Sequence, residues 1–581
     1  MIHASRRVAG LTAAAAAAAL LALAAPSTAL AAKGGNAEPG KGKGSGPLQS
    51  VQLLSFNDYH GHLESPDTDD FYESEAAGGG EYLATMLDQL REDAPKGRSL
   101  TVAAGDLIGG SPFLSGLFHD EPSVESLEAM GLDVSSVGNH EFDEGTDELL
   151  RMQYGGCHPV DGCYFADDPY DGAGFSWLAA NVVNKDGSGT LLPGTTIKKV
   201  AGMKIGFIGM TLEDTPTLVS PVGVASVDFL DEVETANAEA AKLQRRGVEA
   251  IVVLLHEGGI PVEGGVSDCD QVSDPIETIA EGMDPAIDML VTGHTHQPYV
   301  CAFDDPDGDP RLVTSAASYG RVVTETTLVI DRRTGDVDRG RTTAVNHIVE
   351  DVDPDPSITA IVEKWDALSG PLAARVVGSV DEDITGDESG DRGIETPMGD
   401  LVADAILWGT DDADEGGAEI AFMNIGGVRA SLLLAPKYEE ADGEVTYAEA
   451  YDVNPFGNLI VTVDMTGADI EAALEQQYVA DRRRPNLALG VSEGFSYTWD
   501  ATQPEGSKVV EGSMMLNGEP IDPAGTYRVA MYNFLAGGGD SFTAFTNGTD
   551  LLGGPEDLAN FVAYLEANPG LTAPEDRVAG L

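Results

Sequence analysis

Leu53-Leu-Ser-Phe-Asn-Asp58-Tyr-His60-Gly61 is the stretch that decides the fold. An apolar, β-prone run from Val51 to Phe56 gives way abruptly to an aspartate and, two residues on, a histidine. Residues two apart share one side of an extended segment, so Asp58 and His60 project together just past a strand. The same arrangement recurs in Thr101-Val-Ala-Ala-Gly-Asp106, in Ser136-Val-Gly-Asn139-His140-Glu-Phe-Asp143 and in Ile251-Val-Val-Leu-Leu-His256-Glu-Gly-Gly. Leu290-Val-Thr-Gly-His294-Thr-His296 completes the series. One histidine in such a place is ordinarily a satisfied core group, but a whole series of strand-like runs ending this way needs another explanation. Ligands of α/β sheets gather beyond the carboxyl ends of strands. Asp, Asn and neutral His are the oxygen and imidazole donors that borderline divalent metals take.

Working outward, the apolar runs Val51–Phe56, Leu100–Ala104, Val134–Val137, Lys204–Met210, Ala250–Leu255 and Met289–Thr292 alternate with helical patterns such as Glu81–Arg91 and Val233–Arg246. That alternation predicts an α/β domain built on a central sheet, spanning residues 48–350. Asp351-Val-Asp-Pro-Asp-Pro356 breaks the pattern. Behind it, Ser357–Leu368 is amphipathic, with Ser357 as its expected N-cap, and residues 351–370 read as a helix linking two domains. A second α/β unit occupies residues 371–578, and no internal repeat is visible.

The 581 residues carry 33 Lys+Arg against 97 Asp+Glu, a formal charge of −64. Such a surface excludes a nucleic-acid polymer or an anionic membrane as partner, since both need basic side chains to displace counterions. Disorder is excluded too, because 42% of the residues are hydrophobic and well patterned. An anionic substrate then requires local positive charge at its site. Residues 1–31 combine Arg6-Arg7, an Ala/Leu run and Ala29 and Ala31, and read as a secretory signal cleaved near Ala31 rather than a bilayer span. Residues 32–47 form a Gly/Lys/Ser-rich flexible leader, and no stable membrane anchor is expected. The chain is expected to be secreted or held in the cell envelope. Cys157, Cys163, Cys269 and Cys301 allow three disulfide connectivities; local pairing is preferred because each pair brackets an acidic, Gly/Pro-containing insertion. No C-x-x-C supports a zinc-thiolate site. Asp304–Pro310 and Asp411–Gly417 lack calcium-loop spacing and read as solvated turns.

D-x-H, G-D, G-N-H-E-x-D, H-x-G and G-H-x-H in this order resemble the calcineurin-like metallophosphoesterases. Asn424-Ile-Gly-Gly-Val-Arg429, Asn454-Pro-Phe456-Gly-Asn and Asn533-Phe534-Leu-Ala-Gly-Gly-Gly-Asp540 narrow the resemblance to the secreted 5′-nucleotidase and UDP-sugar hydrolase family, over about residues 50–575. The resemblance implies a layered αββα sandwich followed by a substrate-binding α/β domain. It implies two divalent ions (Zn, Mn, Co or Fe), one held by Asp58, His60 and His296, the other by Asn139, His256 and His294, with Asp106 between them. A hydroxide shared by the ions would attack phosphorus while they clamp the phosphoryl oxygens. His140 and Asp143 would act as a dyad that stabilises the transition state or protonates the leaving group. His62 stays outside the ligand set. Phe456 and Phe534 would clamp a nucleobase, Asp540 would hold the ribose, Asn424 would meet the base edge, and Arg429 and Arg392 would pair with anionic groups. Many relatives carry more arginines ahead of the Met-Gly segment; here only Arg392 precedes Glu395-Thr-Pro-Met-Gly399. Preference among nucleotides, UDP-sugars and 2′,3′-cyclic nucleotides therefore stays open, and so does oligomeric state. The resemblance also implies a hinge rotation between the domains, placed at Ser357–Leu368. A non-catalytic surface-binding protein is disfavoured because all seven ligand positions and His140 are present.

Overall fold

A computed structural model describes residues 48–66, 78–219, 223–261, 264–269, 271–386, 392–412, 416–437, 440–480, 482 and 484–581. Residues 1–47, where a signal and leader are expected, and part of Asp411–Gly417 lie outside the described residues.

The first half holds two six-stranded sheets, where residue patterning alone suggested one. In the first, Leu48–Phe56, Ser99–Ala104, Val134–Ser136 and Ser176–Leu178 run parallel, flanked by antiparallel Val322–Asp331 and Thr343–Ile348. In the second, Met203–Thr211, Ala250–His256, Met289–Thr292 and Pro310–Ser315 run parallel between antiparallel Thr195–Val200 and Tyr299–Asp304.

Side-chain alternation explains the layering. Ala250, Val252 and Leu254 pack with Val51, Leu53 and Val102 between the sheets. Their neighbours Ile251, Val253 and Leu255 face the helix Glu232–Arg245 instead. Leu54 and Phe56 likewise face helices Gly79–Asp93 and Glu121–Ala129 through Leu83, Leu87 and Leu127. Strands buried on both faces read as unbroken apolar runs, which is why they were visible in the sequence. The result is an αββα sandwich.

The presumed linker is an 18-residue helix, Pro356–Ala373. Its N-cap is Asp355, whose carboxylate accepts from Ser357 N–H at 2.8 Å, so Ser357 is one position inside the helix rather than the cap. Ile358, Ile361 and Trp365 bury against the first half, and Glu125 accepts from Lys364 Nζ (2.7 Å) and Trp365 Nε1 (2.9 Å). The helix is therefore anchored on the sandwich and is not a free connector.

In the second half, Leu489–Val491, Ile420–Asn424, Thr526–Tyr532, Leu459–Thr466 and Thr549–Glu556 form a five-stranded mixed sheet. Helices Pro397–Trp408 and Asp557–Ala567 cover one face. Disulfides join Cys157 to Cys163 and Cys269 to Cys301, with Cα separations of 4.6 and 5.2 Å. Asp305 organises the Asp304–Pro310 turn by accepting from Asp307 N–H, Asp309 N–H and Arg339 Nη1, so this segment is a self-satisfied hairpin end. Among the described residues, no helix is long and apolar enough to cross a membrane.

Candidate active site

The carboxyl ends of parallel strands from both sheets converge, and the side chains that follow them meet. Asp58, His60 and His296 form one group of donors, and Asp106, His256 and His294 another. His60 Nε2 lies 3.8 Å from Asp106 Oδ2 and 3.3 Å from His296 Nε2, which is itself 3.3 Å from Asp58 Oδ1. Asp58, Asp106 and His256 are at most 1% exposed. So dense a set of buried donors needs cationic compensation.

Local geometry aims these donors. Asp58, His60, Asp106, His294 and His296 all have positive φ, between 46° and 71°. A left-handed residue other than glycine costs on the order of 1–3 kcal/mol and persists where its surroundings over-determine it. His60 Nδ1–H donates to the Gly109 carbonyl at 2.8 Å and His256 Nδ1–H to the Ala104 carbonyl at 2.7 Å, leaving each Nε2 with its lone pair. His256 Nε2 sits 2.8 Å from Asp106 Oδ2 without making a hydrogen bond to it. Asn139 Oδ1 is equally buried and has no hydrogen-bond partner. Two buried acceptors without hydrogen-bond partners, one of them beside the Asp106 carboxylate, fit a divalent ion.

One positioning residue escaped the sequence reading. The buried Glu141 carboxylate accepts from Asp106 N–H (2.9 Å), Leu107 N–H (2.8 Å) and Gly138 N–H (2.5 Å), tying two donor loops together. Burial and the neighbouring Asp106 push its carboxyl up to about 7. It was present as the E of G-N-H-E-x-D, read there only as part of a signature. His62 stacks on Tyr319 with ring centroids 4.0 Å apart and takes no place among the donors.

His140 stands beside the donor cluster. Its Nδ1–H donates to Asp143 Oδ2 at 2.8 Å, and its backbone N–H donates to Asp106 Oδ1 at 2.8 Å. Burial opposes a charge on this ring, but Asp143 and Asp106 outweigh it and hold its pKa above the ordinary value. From the second half, Arg429 Nη2 reaches to 3.3 Å from His140 Nε2, and the Phe456 ring stacks on His140 at 5.8 Å.

A cavity of about 1140 Å³ joins the halves. Asp106, Asn139, His140 and Asp143 line one side; Asn424, Arg429, Phe456, Phe534 and Asp540 line the other. Asn424 Nδ2 donates to Asp540 Oδ2 at 3.2 Å, so these two polar groups reach the cavity as a pair. The Phe534 ring lies flat on the chain at Gly539, where a Cβ would come within 2.6 Å of ring carbons. Arg429 lies over the Phe456 ring, 4.9 Å from its centroid. Arg392 is not the only arginine at this end. Arg482 and Arg484 also line the cavity, from the run Arg482-Arg483-Arg484, to which the sequence reading gave no role. Burial, then Arg484 and Arg429, push the Arg392 guanidinium down to about 9, against the opposing pull of Asp540. This cluster supplies the local positive charge that the acidic composition demanded.

Comparison with known proteins accounts for both halves. Residues 52–298 match the calcineurin-like phosphoesterase family, and residues 376–547 match the 5′-nucleotidase C-terminal domain. Cell wall protein Lmo0130 of Listeria monocytogenes is 32% identical over 540 residues, covering 89% of this chain and 67% of that protein. Endonuclease YhcR of Bacillus subtilis is 32% identical over 535 residues, but the chain spans only 40% of its length. Among solved structures, the 5′-nucleotidase precursor from Thermus thermophilus superposes with a TM-score of 0.73 at 26% identity, covering 91% of this chain and 99% of that one. The paired family matches, and alignments that cover about nine-tenths of this chain, place it in the 5′-nucleotidase family that joins a calcineurin-like phosphoesterase half to a 5′-nucleotidase C-terminal half.

Proposed function

We propose that the chain is an exported 5′-nucleotidase that cleaves nucleotides to nucleoside and phosphate, using two divalent ions. Asp58, His60 and His296 would hold one ion, Asn139, His256 and His294 the other, with Asp106 shared. The ions would supply Lewis acidity toward the phosphoryl oxygens and a water acidic enough to attack phosphorus near neutral pH. His140, oriented by Asp143, is placed to steady the developing charge and give a proton to the leaving oxygen. Arg429 and Arg392 are suited to anionic oxygens in bidentate fashion. Phe456 and Phe534 offer two aromatic faces for a base, Asp540 an acceptor for ribose hydroxyls, and Asn424 a donor and acceptor for the base edge.

The observation that carries this reading is the single cavity shared by the donor cluster and the aromatic pair. We place the hinge at the end of the connecting helix, around Gly370-Pro371, because its earlier turns are anchored on the sandwich. Arg482 and Arg484 favour a second reading, in which the substrate carries a diphosphate as UDP-sugars do.

A substrate panel separates these readings. Turnover should be fastest for AMP, read as phosphate and adenosine; slower for UDP-glucose, read as UMP and glucose 1-phosphate, and for 2′,3′-cyclic AMP, read as the ring-opened nucleotide; and undetectable for single-stranded DNA. Faster turnover of UDP-glucose would transfer the assignment to the second reading, and no turnover of AMP would refute the first. Phe456→Ala should raise KM for AMP on the order of 10-fold, in line with the stacking energy of one base, and leave a small aryl phosphate nearly unaffected.

A further inference from the structure

On the far side of Asp143 lies a second group of donors that the catalytic reading does not use: His119, Glu144, His158 and Asp161. His119 occupies the turn between helices Phe113–Gly116 and Glu121–Ala129, with φ 51°. Glu144 caps helix Gly145–Tyr154 and directly follows Asp143. His158 and Asp161 belong to the loop closed by the Cys157–Cys163 disulfide, where His158 and Gly162 exchange both backbone hydrogen bonds, at 3.1 and 3.0 Å. The loop is thus held rigid by its own covalent and backbone links.

Three electron-rich atoms of this group face one another. His119 Nδ1–H donates to Glu144 Oε2 at 2.7 Å, which leaves the lone pair of a neutral ring on Nε2. That Nε2 is at hydrogen-bonding distance, 2.8 Å, from Asp161 Oδ2, a position that either a proton or a cation fills. His158 Nδ1 is 3.3 Å from the same oxygen and accepts the Asp161 N–H at 3.2 Å, a weak bond that an ion would displace. His119 Nε2, His158 Nδ1 and Asp161 Oδ2 all lie within 4.8 Å of one another. The two imidazoles stack at 3.7 Å, which brings both nitrogens to one corner of the Asp161 carboxylate. A divalent ion satisfies all three atoms at once, and two imidazoles with one carboxylate are the donors of a borderline metal such as Zn(II). Glu144 behind His119 completes the carboxylate–histidine–metal arrangement that fixes a ligand's tautomer and orientation.

We propose that His119, His158 and Asp161 form a separate divalent-metal site, of the type zinc fills, with Glu144 as the residue that orients His119. An ion there would pin the Cys157–Cys163 loop to the turn before helix Glu121–Ala129 and to the segment carrying Asp143. Its role is structural, and it stands independently of the substrate assignment.

Zinc counting tests it. The oxidised full chain is stripped with chelator, loaded with Zn(II), passed into metal-free buffer and analysed for zinc, with affinity read by competition against a chromophoric chelator. His158→Ala and Asp161→Asn should each retain one zinc fewer per chain than wild type, with phosphoester turnover within about two-fold. Glu144→Gln should keep the count but bind that zinc on the order of 10–100-fold more weakly. Equal zinc content and affinity in wild type, His158→Ala and Asp161→Asn would overturn the proposal. Should His158→Ala fail to fold, the half-exposed Asp161→Asn decides alone. Because the reading is a difference between variants, it holds whatever the catalytic centre retains and whichever nucleotide is cleaved.

Discussion

His140 is the residue at which the two halves of the chain meet. Asp143 holds its Nδ1–H, Asp106 holds its backbone, and Arg429 approaches its Nε2 from 289 residues away. The family resemblance made the His140–Asp143 pair legible, and the fold supplies its physical reason: i and i+3 come together in the short 3₁₀ turn His140–Phe142. The Arg429 contact had no such trace, since nothing local encodes a partner on another domain. Glu141 was hidden differently: it works through three backbone N–H groups, two of them more than 30 residues away, which leave no pattern in side chains. On this geometry, His140→Ala should lower kcat by about 10²–10⁴-fold, the usual worth of a positioned acid, while metal content is unchanged. Steady-state kinetics beside metal analysis would show it, and unaltered kcat would remove His140 from the mechanism.

At the scale of elements, six of the strands buried on both faces were legible, from Val51–Phe56 to Met289–Thr292, because their apolar runs need no partner to be recognised; Ser176–Leu178 and Pro310–Ser315, shorter or more polar, were not. Nor were the flanking antiparallel strands. Val322–Asp331 breaks its apolar residues with Thr324, Glu325, Thr326 and Thr327, Thr343–Ile348 is mixed and partly exposed, and only their ladders with Leu48–Phe56 and with each other make them strands. For the same reason patterning could not say that there are two sheets. The site depends on tight turns at the ends of the buried strands, and Gly138 shows how tight. A Cβ there would come within 2.6 Å of Asp106 N and 2.8 Å of His256 Cγ, as well as overlapping the Asp106 carboxylate. Gly138→Ala should therefore lose about 1–3 kcal/mol of stability, as overpacked cores do, and bind metal more weakly. Denaturant unfolding and metal titration would measure both, and a variant with wild-type stability and metal content would mean that the turn is looser than its geometry.

For the molecule as a whole, a net charge of −64 and an anionic substrate are reconciled by concentration of opposite charge. The buried donor cluster suits divalent cations, and Arg392, Arg429, Arg482 and Arg484 line the same cavity. The composition foretold that some such place must exist. It could not foretell that arginines separated by up to 92 positions in sequence would share it, because that is a property of the closed arrangement of the halves. Everything in this account rests on Asp106, the carboxylate that both groups of donors face. The decisive measurement is phosphate release from AMP by chelator-stripped wild type and Asp106→Ala, before and after adding back Mn(II) or Zn(II). The account predicts that stripping abolishes turnover, that metal restores it in wild type, and that Asp106→Ala stays at least about 10³-fold slower whatever is added, as expected when a metal ligand at the reacting phosphoryl group is lost. Undiminished turnover by the stripped chain, or full recovery by Asp106→Ala, would contradict it.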